Sequence, residues 1–73
     1  DAFFDNTDEV VARLQKAIQR LPRKQQLAFN MRYYDDMSYR EIAEVTGMTE
    51  ASVKANYHVA KEKIKVFMTS NQV

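Results

Sequence analysis

The chain has no cysteine and no tryptophan, and one glycine and one proline among 73 residues. Without cysteine there is neither a disulfide framework nor a zinc–thiolate site, so stability has to come from packing alone, the usual situation of cytosolic proteins. One glycine and one proline leave little turn chemistry for a series of hairpins. No apolar run is long enough to cross a bilayer. The opening Asp1-Ala2-Phe3-Phe4-Asp5 has neither the basic start nor the apolar stretch of a signal peptide. The expectation is a soluble, intracellular chain with no membrane partner. It begins with Asp1 rather than methionine, which points to a piece of a longer protein. A formal net charge of +1 excludes nucleic-acid binding by bulk positive charge. The charge is nevertheless unevenly placed. Carboxylates gather at Asp1, Asp5, Asp8, Glu9 and at Asp35-Asp36, while Lys54, Lys61, Lys63 and Lys65 lie close together near the C-terminus.

What is present is helical periodicity, and the pattern predicts an all-α fold of four helices without strands. Thr7 is placed to cap the first, with Asp8 and Glu9 at the positive end of its dipole. Val11, Leu14, Ile18 and Leu21 recur at helical spacing, and Pro22 closes the run with a tight junction. The second helix covers Arg23 to Tyr34 and is expected to bury Leu27, Met31 and Tyr34. Asp35-Asp36-Met37 breaks it. Residues 8–36 thus read as a helical hairpin and 37–68 as a helix-turn-helix, together one domain spanning 1–73. Phe3 and Phe4 are expected to fold back on the helices, and 69–73 to fray.

Residues 38–54, Ser-Tyr-Arg-Glu-Ile-Ala-Glu-Val-Thr-Gly-Met-Thr-Glu-Ala-Ser-Val-Lys, are the most informative stretch. Ser38 and Glu41 spell a capping box. Ala43 is small where two helices must approach, Gly47 can adopt the positive φ of a sharp interhelical turn, and Val53 can plug the angle between them. Thr49 caps the last helix. Along it Val53, Tyr57, Ala60, Ile64 and Phe67 recur at steps of four and three, one narrow stripe of core.

Turned over, that helix presents Ala51, Ala55, His58 and Glu62, flanked by Lys54 on one side and by Ser52 and Val59 on the other. Small side chains let a helix backbone lie close to base edges in a major groove about 12 Å wide. Lys54 can donate to guanine or phosphate, His58 can donate or accept at a base edge, and Ala55 and Val59 offer apolar contact to a thymine methyl. Arg40, Thr49, Ser52, Asn56 and Lys61 are candidates for phosphates, which fix register without reading sequence. The plainer reading of Lys61, Lys63 and Lys65 is a solvated face, and of Tyr57 and Phe67 a core position. Packing is also favoured for Tyr33, Tyr34 and Tyr39, with one hydroxyl able to reach phosphate as the alternative. His58 has no second histidine or cysteine to share a metal, and no nucleophile, base and orienting group can be assembled, so no cofactor and no enzymatic activity are expected.

Leu21-Pro-Arg-Lys-Gln-Gln-Leu-Ala-Phe-Asn-Met-Arg-Tyr-Tyr-Asp-Asp-Met-Ser-Tyr-Arg-Glu-Ile-Ala43 and the later Thr-Gly-Met-Thr-Glu-Ala-Ser-Val-Lys54 resemble region 4 of bacterial sigma-70 family factors, in particular the extracytoplasmic-function group. The resemblance implies a winged-helix-like DNA-binding superfold without a wing, with a C-terminal helix-turn-helix that binds the promoter minus-35 element while docked on the flap of core RNA polymerase. Anti-sigma proteins mask such domains. By the family pattern Lys54, Ala55, His58 and Val59 face bases. The family carries arginines where Asn56 and Val59 stand, so two cationic contacts of the pattern are absent. Two alternatives compete: the DNA-binding domain of a LuxR-type response regulator, which usually opens Thr-x-Arg-Glu rather than Leu-Pro-Arg-Lys, and a helical protein-interaction module that no longer touches DNA.

Overall fold

The computed structural model describes residues 8–70. Within them the chain forms α1 (Asp8–Gln19), α2 (Arg23–Tyr33), α3 (Tyr39–Thr46) and α4 (Glu50–Ser70), and no strand. The cap expected of Thr7 and the folding back of Phe3 and Phe4 lie outside these residues. Among the described residues, no helix is long and apolar enough to cross a membrane.

The fold is organised by α4, a rod of 21 residues against which each of the other three helices packs. Two apolar clusters line it. One joins Leu14, Ala17 and Ile18 of α1 and Leu21 to Phe29 of α2 and to Ala60, Ile64 and Met68 of α4. The other joins Ala28 of α2, Ile42 of α3 and Val53 of α4, with Met31, Met37, Tyr39, Ala43 and Met48 around them. Tyr57 touches both. Phe29, Ile42, Val53 and Ile64 are the largest side chains wholly removed from water.

The expected inward stripes of α3 and α4 are observed in the main: Ile42, Val53, Ala60 and Ile64 are buried and Ala43, Tyr57 and Phe67 half-buried, while at the end of α4 it is Met68 that is buried. The structure differs at α1 and α2. Val10, not Val11, packs on the α1 cluster, and Val11 is 38% exposed. On α2 the buried residues are Ala28 and Phe29, whereas Leu27 and Met31 are half-buried and Tyr34 is 48% exposed just past the helix end. The reason is that α2 is gripped from two sides. Ala28 and Phe29 lie about 100° apart on the helix surface, so one enters the α3–α4 cluster and the other the α1–α4 cluster. A helix with two buried flanks carries no single apolar stripe. At the C-terminus α4 continues through Thr69 and Ser70, two residues expected to fray, and the Ser70 hydroxyl donates to the Val66 carbonyl.

The junctions follow the local chemistry. After α1, the Arg20 and Leu21 amides close short turns onto Ala17 and Ile18. Pro22 stands at the N-cap of α2 with φ −57° and ψ 154°, where its missing amide costs nothing, and its carbonyl takes the first bond from the Gln26 amide. Gln26 Nε2 also donates to the Ile18 carbonyl at 2.9 Å, tying α2 back to α1. The α2–α3 break turns on Asp36, which adopts φ +53°, a left-handed conformation that aspartate tolerates better than most residues.

Candidate nucleic-acid interface

The α3–α4 unit is assembled from short-range bonds that the sequence specifies. Ser38 Oγ accepts from the Glu41 amide at 3.1 Å, and the Ser38 amide donates to Glu41 Oε1 at 2.9 Å, completing the capping box. This holds the Glu41 carboxyl below its ordinary value of 4.5, mainly through the bond from the Ser38 backbone amide and secondarily through the Ser38 side chain. Gly47 ends α3 with φ +79° and ψ 4°, and its amide donates to the Ala43 carbonyl at 2.9 Å. The turn is braced by Thr46, whose hydroxyl donates to the Ile42 carbonyl at 2.7 Å and accepts from the Met48 amide at 3.3 Å. Thr49 Oγ1 then accepts from the Ser52 amide at 3.0 Å and opens α4. Val53, Ile42 and Ala28 fill the angle between the helices with no exposure to water.

With Val53 turned inward, the opposite side of α4 is open. Ala51, Lys54, Ala55, His58 and Val59 are all exposed, Val59 at 44%. This is a ridge with a small-residue crest and one cation on its shoulder.

The expected phosphate contacts fall into three groups. Arg40 is exposed on the first turn of α3, and Thr49 and Ser52 lie at the start of α4, where free helix amides also face outward. Each of these two hydroxyls accepts a bond within the protein and retains its own proton to donate. Asn56 is engaged: its Nδ2 donates to the Ser52 carbonyl at 2.8 Å and lies 3.3 Å from Ser52 Oγ. Its amide is thus directed along α4, and the Asn56 position braces Ser52. Lys61 is half-buried, with its ammonium 5.9 Å from the centre of the Tyr57 ring.

Two residues from outside α4, Arg32 and Tyr39, border this face. Arg32, at the end of α2, donates from Nη1 to the Met37 carbonyl at 3.0 Å and sets its guanidinium 5.0 Å from the centre of the Tyr39 ring. The Lys54 ammonium lies 5.8 Å from that same centre. Tyr39 in turn lies 6.1 Å from Tyr57, whose ring stacks on Phe29 at 5.8 Å and neighbours His58 at 6.1 Å. Arg32, Lys54 and Lys61 therefore form a basic seam on two tyrosine rings along one flank of the exposed ridge. Burial pushes the Tyr57 phenol above its ordinary 10.0, Tyr39 adds to the rise and Arg32 opposes it, so the ring is neutral at physiological pH. The signal in the sequence was the placement of Arg32 and Tyr39 on either side of the Asp35-Asp36 break, residues that a wheel drawn on α4 alone does not bring together.

The fold and this face define a helix-turn-helix domain. The family model for sigma-70, region 4, matches residues 12–64, more than half of the chain. The chain belongs to the sigma-70 region 4 family, and the LuxR-type alternative loses its support. It is also similar to the ECF RNA polymerase sigma factor RpoE of Cereibacter sphaeroides, with 31% identity over 58 residues that cover 80% of this chain and 32% of that protein. The chain thus spans about a third of the length of that relative. No solved structure matches the chain.

Proposed function

We propose that the chain is the promoter-reading module of a bacterial sigma factor, acting in the cytoplasm, and that it recognises the minus-35 element with the outer face of α4 in a major groove. The observation that carries this reading is the division of α4: Val53 is fully buried while Ala51, Lys54, Ala55, His58 and Val59 are exposed together on the far side. Lys54 supplies the cation for guanine or phosphate, His58 a polar edge, and Ala55 and Val59 apolar contact. Arg40, Thr49, Ser52, Lys61, Arg32 and Tyr39 hold the backbone and set the depth and register of the helix. Membership of the sigma-70 region 4 family supports the same assignment, with core RNA polymerase, through its flap, as the assembly that tethers the module and an anti-sigma factor as the protein that masks it. Tethering raises effective concentration, so the module itself needs only weak affinity.

The test is a titration of the chain with promoter-derived and scrambled duplexes across a salt series. Affinity for the cognate duplex should fall steeply with salt, by about 0.9 log units per phosphate contact for each log unit of salt. Binding that is absent at low salt, with the fold intact, would favour a protein-interaction module instead.

A further inference from the structure

The two sides of the exposed α4 ridge differ in chemistry. Seen along the helix with Val53 at the core, Lys54 lies about 100° to one side and Ser52 about 100° to the other. Tyr57 and Lys61 fall on the Lys54 side. Asn56 falls on the Ser52 side, as does the Thr49 cap that is bonded to Ser52.

The first flank is cationic. Arg32 and Lys54 share the Tyr39 ring, and Lys61 lies over Tyr57. Among the described residues none of the three cations is ion-paired with a carboxylate, Glu50 one turn before Lys54 included. Each charge is therefore open to an anion.

The second flank is neutral over the same length. Thr49 Oγ1 accepts from the Ser52 amide at 3.0 Å, and Asn56 Nδ2 lies 2.8 Å from the Ser52 carbonyl and 3.3 Å from Ser52 Oγ. These bonds use the acceptor side of both hydroxyls, so each keeps a proton to donate. The next cation on this flank, Lys63, is seven residues past Asn56, about 10 Å further along the axis.

A helix with its side chains is about 10–12 Å across and the major groove about 12 Å wide, so a helix whose crest faces the groove floor turns one flank to each backbone. We propose that the two strands of the bound duplex are held by different chemistry. One strand's phosphates meet cations, with Arg32 and Lys61 on them. The other's meet the neutral hydroxyls of Thr49 and Ser52, and Asn56 is the positioning residue that fixes the Ser52 hydroxyl. This rests on the reading of α4 as the DNA-facing helix. Cations that neutralise phosphates release counterions, and neutral hydroxyls do not. Salt therefore loosens the grip on one strand and leaves the other.

The test uses the full chain and a duplex that it selects from a randomised pool. Affinity is measured across a salt series, and phosphate-ethylation interference is mapped on each strand. The Ser52→Ala, Asn56→Ala double variant should lose about tenfold in affinity, keep the slope of log affinity against log salt, and lose interference on one strand. Lys61→Ala should flatten the slope by about 0.9 and lose interference on the opposite strand. Ser52→Thr, which keeps the hydroxyl, should bind as the parent does. Asn56→Ala should weaken binding in the parent and cost nothing further in Ser52→Ala, because it acts through that hydroxyl. Circular dichroism should show every variant as helical as the parent. Full affinity in the double variant, a slope that falls in it as far as in Lys61→Ala, or interference lost from the same strand in both would overturn the proposal and leave α4 as the reading helix. Selection of no duplex at all would remove that reading, and this inference with it.

Discussion

Lys54 and Arg32 share one aromatic platform: their cationic groups lie 5.8 and 5.0 Å from the centre of the Tyr39 ring, although they come from different helices. Like charges brought to one ring repel each other. The arrangement is favourable where the ring's negative face offsets part of that repulsion and where an anion arrives to take up the remainder. The platform thus holds the Lys54 ammonium on the flank of the ridge that faces Tyr39.

Lys54→Ala should weaken specific duplex binding by about 1–3 kcal/mol if the ammonium contacts a base, with little effect on thermal stability because the residue is exposed. Fluorescence anisotropy with cognate and scrambled duplexes checks this. A uniform loss on both duplexes would reassign Lys54 to phosphate, and no loss would remove it from the interface.

Tyr39→Leu should retain apolar contact with the α3–α4 cluster while removing the ring beneath Arg32 and Lys54. The expected outcome is weaker duplex binding together with a modest loss of stability, about 0.5–1 kcal/mol for each of the two cation–π contacts removed. Unchanged duplex affinity would mean that the platform plays no part in binding.

Val53→Ala should destabilise the domain by about 1–3 kcal/mol, through lost transfer energy and the cavity left between Ala28 and Ile42. Chemical denaturation measures the cost. A midpoint equal to that of the parent would show that the interhelical angle does not depend on this side chain.

Gly47→Ala isolates backbone strain. A Cβ at Gly47 would meet nothing within 4 Å, so the cost of the substitution comes from φ +79° alone. It should be about 1–2 kcal/mol, and Gly47→Asn should recover part of it. A much larger loss in thermal denaturation would point to a contact that the open surroundings of the turn do not contain.

The pH dependence of the capping box has a definite sign. Because the folded state holds Glu41 below its ordinary value of 4.5, the ionised carboxylate favours folding. That contribution is complete above 4.5 and is lost as pH falls through the depressed folded value. In Glu41→Gln the box keeps its geometry without the titration. The stability difference between parent and variant should therefore shrink as pH falls below 4.5. Parallel pH–stability curves through that range would contradict the assignment.

Much of this was legible in the sequence because the informative bonds are local. Ser38 with Glu41, Gly47 with Ala43, and Thr49 with Ser52 each close within four residues, and a chain pattern encodes such spacing directly. The same holds for α4, whose single buried stripe fixes its exposed side by subtraction. The burial pattern of α2 was hidden because it serves two clusters at once, so Ala28 and Phe29 break any single stripe. The seam of Arg32 and Tyr39 was hidden for a related reason. It exists only once the turn at Asp36 has folded α2 and α3 together, and nothing in the periodicity of either helix announces it.

Tyr57 bears on both clusters, with its ring against Phe29 on one side and near Tyr39 on the other. Ala28 and Phe29, adjacent on α2, are likewise divided between them. A segment trimmed to Ser38 onward would forfeit the α2 half of the packing that sets the angle of the reading rod. Because α2 and Tyr57 tie the two clusters together, the described helices should melt in one cooperative step.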